Sequence, residues 1–277
     1  MAGAIGFICI TCGVQHAPSE IPPERCAICE DERQYVGDGG QRWTTLAEMR
    51  GRYRNTFMEL EPDLVSIRTM PGFAIGQHAL LVRTRAGNVL WDCLSYLDDE
   101  TVARVRELGG IAAIAISHPH FYDSCVEWSS AFGDAPIYLP AVDREWVMRP
   151  SPSIVHLEGD QVEPVPGVRV IRVGGHFHGS TVLHWAAGAE GRGALLTGDS
   201  LSVVADRRFV TVMYSYPNRI PLSAGAVRDV GVRALRHPFD RLYGGWRGDV
   251  IEHEAMQAVR ASVERYAGMV EGSWPRR

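Results

Sequence analysis

Residues 111–124 read Ile111-Ala112-Ala113-Ile114-Ala115-Ile116-Ser117-His118-Pro119-His120-Phe121-Tyr122-Asp123-Ser124, and this stretch decides the fold. Its first six residues are a continuous apolar run, the pattern of a strand buried on both faces of an α/β sheet. The run ends at Ser117 and hands over to His118-Pro119-His120. In α/β folds ligands collect beyond the carboxyl ends of such strands. In an extended segment residues i and i+2 point the same way, so two imidazoles one residue apart can converge on a single ion. Pro119 stiffens the arrangement by fixing its own φ.

Working outward, two further segments carry polar residues at the mouth of a strand. Gly174-Gly175-His176-Phe177-His178-Gly179 follows an expected strand over 168–173, and Thr197-Gly198-Asp199-Ser200 follows one over 194–197. Glycine at these strand ends allows a sharp turn and a close approach to a ligand. Other strands are expected at 136–139, 182–185 and 241–243, and Arg85-Ala86-Gly87 joins 79–83 to 88–91 as a hairpin. Helices are expected near 44–53, 98–108, 143–148, 222–235 and 252–266.

The 277 residues, 45% hydrophobic and 22% charged, can bury one sizeable core with a small satellite domain. A formal net charge of −5 gives no field that would gather phosphate backbones or anionic lipid, so the expected partner is a small-molecule substrate rather than nucleic acid or membrane. The chain contains no lysine, which excludes Schiff-base and lysine-base mechanisms. No apolar run approaches the ~18 residues of a membrane span, and the N-terminal stretch lacks a basic region, so a cytoplasmic location is expected. A homo-oligomer is left open.

Cys9-x-x-Cys12 and Cys26-x-x-Cys29 form two knuckles, able to present four thiolates to one ion in the tetrahedral cage of a structural zinc. Two disulfides are disfavoured by the tight spacing and the missing secretory signal. Rubredoxin-type iron is disfavoured because Glu30, not glycine, follows Cys29. Residues 1–42 are therefore expected to form a zinc-ribbon-like module, acidic and with a structural or protein-binding role, and residues 43–277 the main domain.

The order strand-Asp92, His118-x-His120, Gly-His176, Thr-Gly-Asp199 resembles the metallo-β-lactamase superfamily over about residues 64–260. That resemblance implies an α/β fold, an αββα sandwich with a metal groove at one edge. It also implies that His118, His120 and His176 are the three histidines of the first metal position and Asp199 the carboxylate beside them, with Asp92 organising neighbouring loops. The chain departs from the family's His-x-His-x-Asp-His run, because Tyr122-Asp123-Ser124 stands where the second metal's ligands would be. Gly244-Gly245-Trp246 stands where the family's last histidine would follow the strand ending at Tyr243.

A single metal, held by His118, His120, His176 and Asp199, is the expected consequence. One zinc would occupy this site and a second, structural one the cysteine cage. The expected activity is a metal-dependent hydrolase using metal-activated water on a small-molecule ester, lactone, thioester or amide. Asp123 or Asp199 would take the proton, and Tyr122 would donate to a developing oxyanion. Two alternatives stand beside it: a mononuclear iron oxygenase or redox enzyme, since histidines with one carboxylate also suit Fe(II), and a non-catalytic metal-binding relative. His16, His78, His156, His184, His237 and His253 are read as ordinary core or surface residues. His178 is open between a supporting, ligating and solvent-facing role. The Met213–Pro217 segment is read as a substrate wall.

Overall fold

Alternation along the short strand Ala79–Val82 sets the layers of the molecule. Ala79 and Leu81 enter one apolar cluster, with Ile67, Ile114, Val105 and Trp128, while Leu80 and Val82 enter another, with Trp91, Val170, Leu183 and Leu196. A period of two divides the side chains of every strand in this way, so the sheet must be covered on both faces. Each fully buried Leu or Ile in these layers contributes about 1.5–3 kcal/mol of transfer free energy.

The structure, a computed structural model, describes residues 4–274. A seven-stranded sheet runs in the order Arg54–Glu61, Leu64–Met70, Ala79–Val82, Val89–Trp91, Ala113–Ala115, Ile137–Pro140 and Ile154–Leu157, antiparallel for the first four strands and parallel thereafter. A six-stranded sheet runs Gln161–Val165, Val168–Arg172, Thr181–Trp185, Ala194–Leu196, Arg241–Tyr243 and Val250–Ile251. The sheets face each other across the Trp91 cluster. Helices Asp99–Glu107 and Cys125–Ala131 cover the first sheet, and Ala224–Ala234 and Ala255–Glu271 cover the second. This is the expected four-layered αββα arrangement.

Local chemistry explains where the helices begin. The Asp98 carboxylate accepts from Thr101 N at 2.8 Å and the Ser223 hydroxyl from Ala226 N at 3.2 Å, each satisfying one of the free N–H groups of a first turn. The helix expected over 44–53 is a single turn, Leu46–Met49, capped by Thr45 and followed by Gly51 at φ +72°. The one expected over 143–148 is a 3-10 segment, Ala141–Trp146, because Asp143 leaves helical geometry and accepts from Gly179 N at 3.0 Å.

The N-terminal segment is organised by its cysteines, all four buried. Its strand Ile8–Cys9 pairs with Trp43–Thr44, so the module's small sheet closes just beyond the expected division at residue 42. The module is not a free satellite. Ala17 N donates to Met148 O at 3.0 Å, the Asn218 amide to the carbonyls of Glu32 and Gln34 at 2.9 and 3.0 Å, and Ser215 Oγ to Arg33 O at 3.0 Å. Trp146 and Met148 pack on the cysteine cluster itself. No helix among the described residues is long and apolar enough to cross a membrane.

Candidate metal centre

Four strand ends build the site, those of Val89–Trp91, Ala113–Ala115, Val168–Arg172 and Ala194–Leu196. Val89–Trp91 ends at Asp92, whose Oδ1 accepts from Ser117 N at 2.7 Å and so ties one strand end to the next. Gly198, after Ala194–Leu196, has φ +54°, and a Cβ there would lie 2.5 Å from Ser117 Oγ, so only glycine fits between the two sheets' ends. Asp199 follows directly.

The His118–His120 spacing works by a different geometry from the extended one expected. Pro119 opens a 3-10 turn, Pro119–Phe121, with His118 extended before it, since proline's fixed φ suits the first helical position. The imidazoles still converge, through different nitrogens. His118 Nδ1 lies 2.9 Å from Ser117 Oγ, which leaves Nε2 directed at Asp199 Oδ1, 3.2 Å away. His176 donates from Nδ1 to the carbonyls of Tyr214 at 2.8 Å and Met213 at 3.2 Å, leaving its Nε2 3.1 Å from His120 Nδ1. One nitrogen from each of the three rings lies within 4.8 Å of the others.

These groups fit a cation. His118 Nε2 and Asp199 Oδ1 are buried and make no hydrogen bond, a costly state that an ion held between them would relieve. Burial holds His118 and His120 well below the usual imidazole range, assisted by their neighbouring imidazoles, and brings His176 down to about 4. All three are therefore neutral at neutral pH, with lone pairs available. Burial, and then the charge of Asp92, pushes Asp199 up to about 8, so a carboxylate there gains strongly from a positive partner.

Asp123 and His178, also singled out from sequence, stand outside the group of three histidines. Asp123 does not join the histidines. Its Oδ1 is 2.5 Å from Ser95 Oγ, its Oδ2 accepts from Gln77 Nε2 at 2.5 Å, and its backbone carbonyl accepts from Gln15 N at 3.0 Å, so it faces the cysteine module. Ser124 donates to the carbonyls of Leu94 and Ser95, both at 2.9 Å. The Tyr122 hydroxyl is buried without a partner, and burial, then the nearby Asp143, raises it well above the usual phenol range. His178 is exposed and outside the group of three. Gly245 packs so closely on Gly198 that a Cβ would lie 3.3 Å from its carbonyl, and Gly244-Gly245-Trp246 itself carries no imidazole.

The second candidate centre is the cysteine cage. Cys9 and Cys29 sulfurs are 3.5 Å apart and those of Cys12 and Cys26 3.7 Å, with all four thiols free of disulfides. A zinc–sulfur bond of about 2.3 Å in a tetrahedron requires sulfur spacings near ~3.8 Å. The hydrogen bond from Cys12 draws Cys26 far down toward thiolate, while burial holds Cys12 up.

Two residues of the centre had no motif to announce them. His78 donates from its backbone N to Gly245 O at 2.9 Å, and its ring bridges Ser66 Oγ and Gly244 O, both at 2.9 Å. It fixes the glycine loop against the Asp199 turn. Arg33 reaches from the cysteine module onto the Phe177 ring, 4.4 Å from its centroid. A period-two or 3.6-residue pattern reports burial, and neither residue has a spacing that distinguishes it from an ordinary histidine or arginine.

No known family's sequence profile matches the chain. It is 50% identical over 262 residues, 94% of its length and 95% of the other's, to the uncharacterized protein YmaE of Bacillus subtilis (strain 168). Among solved structures, VMB-1 aligns over 78% of this chain and 98% of its own with a TM-score of 0.58 at 12% identity. The DIM-1 metallo-β-lactamase aligns over 80% and 99%, with a TM-score of 0.57 at 13% identity. FIM-1 of Pseudomonas aeruginosa, a metallo-β-lactamase solved in a mono-zinc form, aligns over 80% and 97%, with a TM-score of 0.53 at 15% identity. The chain thus belongs to the same family as YmaE, built on the metallo-β-lactamase fold with a four-cysteine cluster near its N-terminus.

Proposed function

We propose that the protein is a metal-dependent hydrolase of a small-molecule ester, lactone, thioester or amide, with a single zinc in the histidine centre and a structural zinc in the cysteine cage. The observation that carries this reading is the pair of unpartnered buried atoms, His118 Nε2 and Asp199 Oδ1, lying 3.2 Å apart, with His118 grouped with His120 and His176. His118, His120, His176 and Asp199 would hold the ion. Zinc bound in such a set supplies a Lewis acid and lowers the pKa of a water to about 7.

The chain's own residues do the rest. Ser117 and the carbonyls of Met213 and Tyr214 fix the tautomers of His118 and His176 and so aim their Nε2 atoms. Tyr216 donates to the Asp199 carbonyl at 2.7 Å and fixes the turn that carries its carboxylate. Asp199 would hold a proton at the site, a reading supported by its contact with His118 and by the engagement of Asp123 with Ser95 and Gln77. The single-metal reading is supported by that engagement and by the glycines at 244 and 245, which leave the second position without side chains to hold an ion. The test is hydrolysis of a panel of activated esters, thioesters and lactones before and after chelation. Activity that chelator abolishes and zinc restores is expected; turnover indifferent to metal would overturn the reading.

A further inference from the structure

Arg33 is 8% exposed, and its Nε is buried with no hydrogen-bond partner. Its Nη1 is committed to Asp31 at 2.9 Å. The guanidinium lies 4.4 Å from the Phe177 centroid, 4.7 Å from that of Tyr214 and 5.8 Å from that of Trp146. Phe177 in turn lies 5.0 Å from the rings of both His120 and His176, and Tyr214 supplies the carbonyl that orients His176. A guanidinium is therefore fixed one aromatic ring away from the candidate metal position, with donor capacity unused. It is delivered there by the cysteine module.

We propose that Arg33 is the anchor for an oxyanion group, a carboxylate or phosphate, on the substrate of the histidine centre; this rests on the hydrolase reading above and names the class of substrate it takes. A guanidinium presents five N–H donors in a rigid fork that matches such groups and stacks on aromatic faces, as Arg33 does on Phe177 and Tyr214. Selectivity comes from those directed donors rather than net field, because the carboxylates of Asp31 and Asp143 already lie near the guanidinium. The cysteine cage then has a role in recognition: it fixes the loop after Cys29 so that Asp31 and Arg33 are in place.

The experiment uses the full chain loaded with zinc at both centres, as wild type, Arg33→Gln and Arg33→Lys, each checked for metal content. Calorimetric titration with inorganic phosphate and, separately, acetate reads anion binding without turnover and tells the two groups apart. Paired aryl esters, one carrying a distal carboxylate and one uncharged, read discrimination. The wild type is expected to bind at least one anion and to favour the charged ester at least tenfold in kcat/KM. Arg33→Gln should lose tenfold or more of both, and Arg33→Lys, which keeps the charge without the fork, should lose part. An Arg33→Gln chain of full metal content that binds both anions as the wild type does overturns the proposal, as does a wild type that binds neither. If no ester is cleaved yet anion binding depends on Arg33, the hydrolase reading fails and the anion site stands.

Discussion

Asp123 Oδ1 lies 2.5 Å from Ser95 Oγ, and that hydroxyl is 3.0 Å from the carbonyl of Gly13 in the cysteine module. Ser95 Oγ donates to Asp123 Oδ1 and Gln77 Nε2 to Oδ2, so both carboxyl oxygens are engaged, while burial raises Asp123 well above the usual carboxylate range. A carboxyl group next to the metal turn is thus used to hold the module on. Replacing it with asparagine should leave the metal content of the histidine centre unchanged and lower stability by about 1–3 kcal/mol, the cost of disturbing a buried hydrogen-bonded group. Denaturant unfolding together with metal analysis checks this; lost metal with unchanged stability would make Asp123 a ligand instead.

The two centres should empty independently. His118→Ala is expected to remove metal from the histidine centre and leave the cysteine cage filled, and Cys26→Ser to do the reverse. Element analysis per chain, with cobalt spectra to tell thiolate from imidazole ligation, distinguishes the two outcomes.

Asp199→Asn keeps the shape of the side chain and removes its charge. Metal affinity at the histidine centre and hydrolytic rate should each fall at least tenfold, about 1.4 kcal/mol, measured by competition with a chelator and by turnover. Unchanged affinity with a lowered rate would restrict Asp199 to proton handling.

Burial lowers the His78 pKa from 6.5 to about 4, against its hydrogen bond to Gly244. The unfolded chain therefore binds the proton more readily than the folded one. The stability gained from a neutral His78 is present in full above pH ~6.5 and is lost as pH falls toward ~4, up to about 3 kcal/mol. The wild type should thus lose more stability than His78→Gln between those pH values, as read by parallel denaturant titrations; equal losses would place the neutral histidine elsewhere.

The buried centre of the fold was readable in the chain because it is simply patterned. Residues 111–116 and 194–196 are apolar runs and 168–173 sets Val and Ile among Arg169 and Arg172, each ending in a glycine or polar turn, and the structure has strands at Ala113–Ala115, Val168–Arg172 and Ala194–Leu196. The edges were not readable. In Arg54–Glu61 only Glu61 is buried and in Ile154–Leu157 no residue is, so no buried run marks these edges as strands. At the site, His118, His120 and His176 form one group, and Asp199 Oδ1 lies 3.2 Å from His118 Nε2. The destination of Asp123 depended on Ser95, Gln77 and Gly13, which are distant in sequence and meet only through the packing of the module.

The central claim is one metal in the histidine centre beside one in the cysteine cage, and metal counting resolved by site tests it most directly. Fully loaded wild type should carry two zinc equivalents per chain, and a chain with Cys9 and Cys26 replaced by serine should carry one, lost on His118→Ala. Two equivalents held by the histidine centre in that cysteine variant would contradict the account.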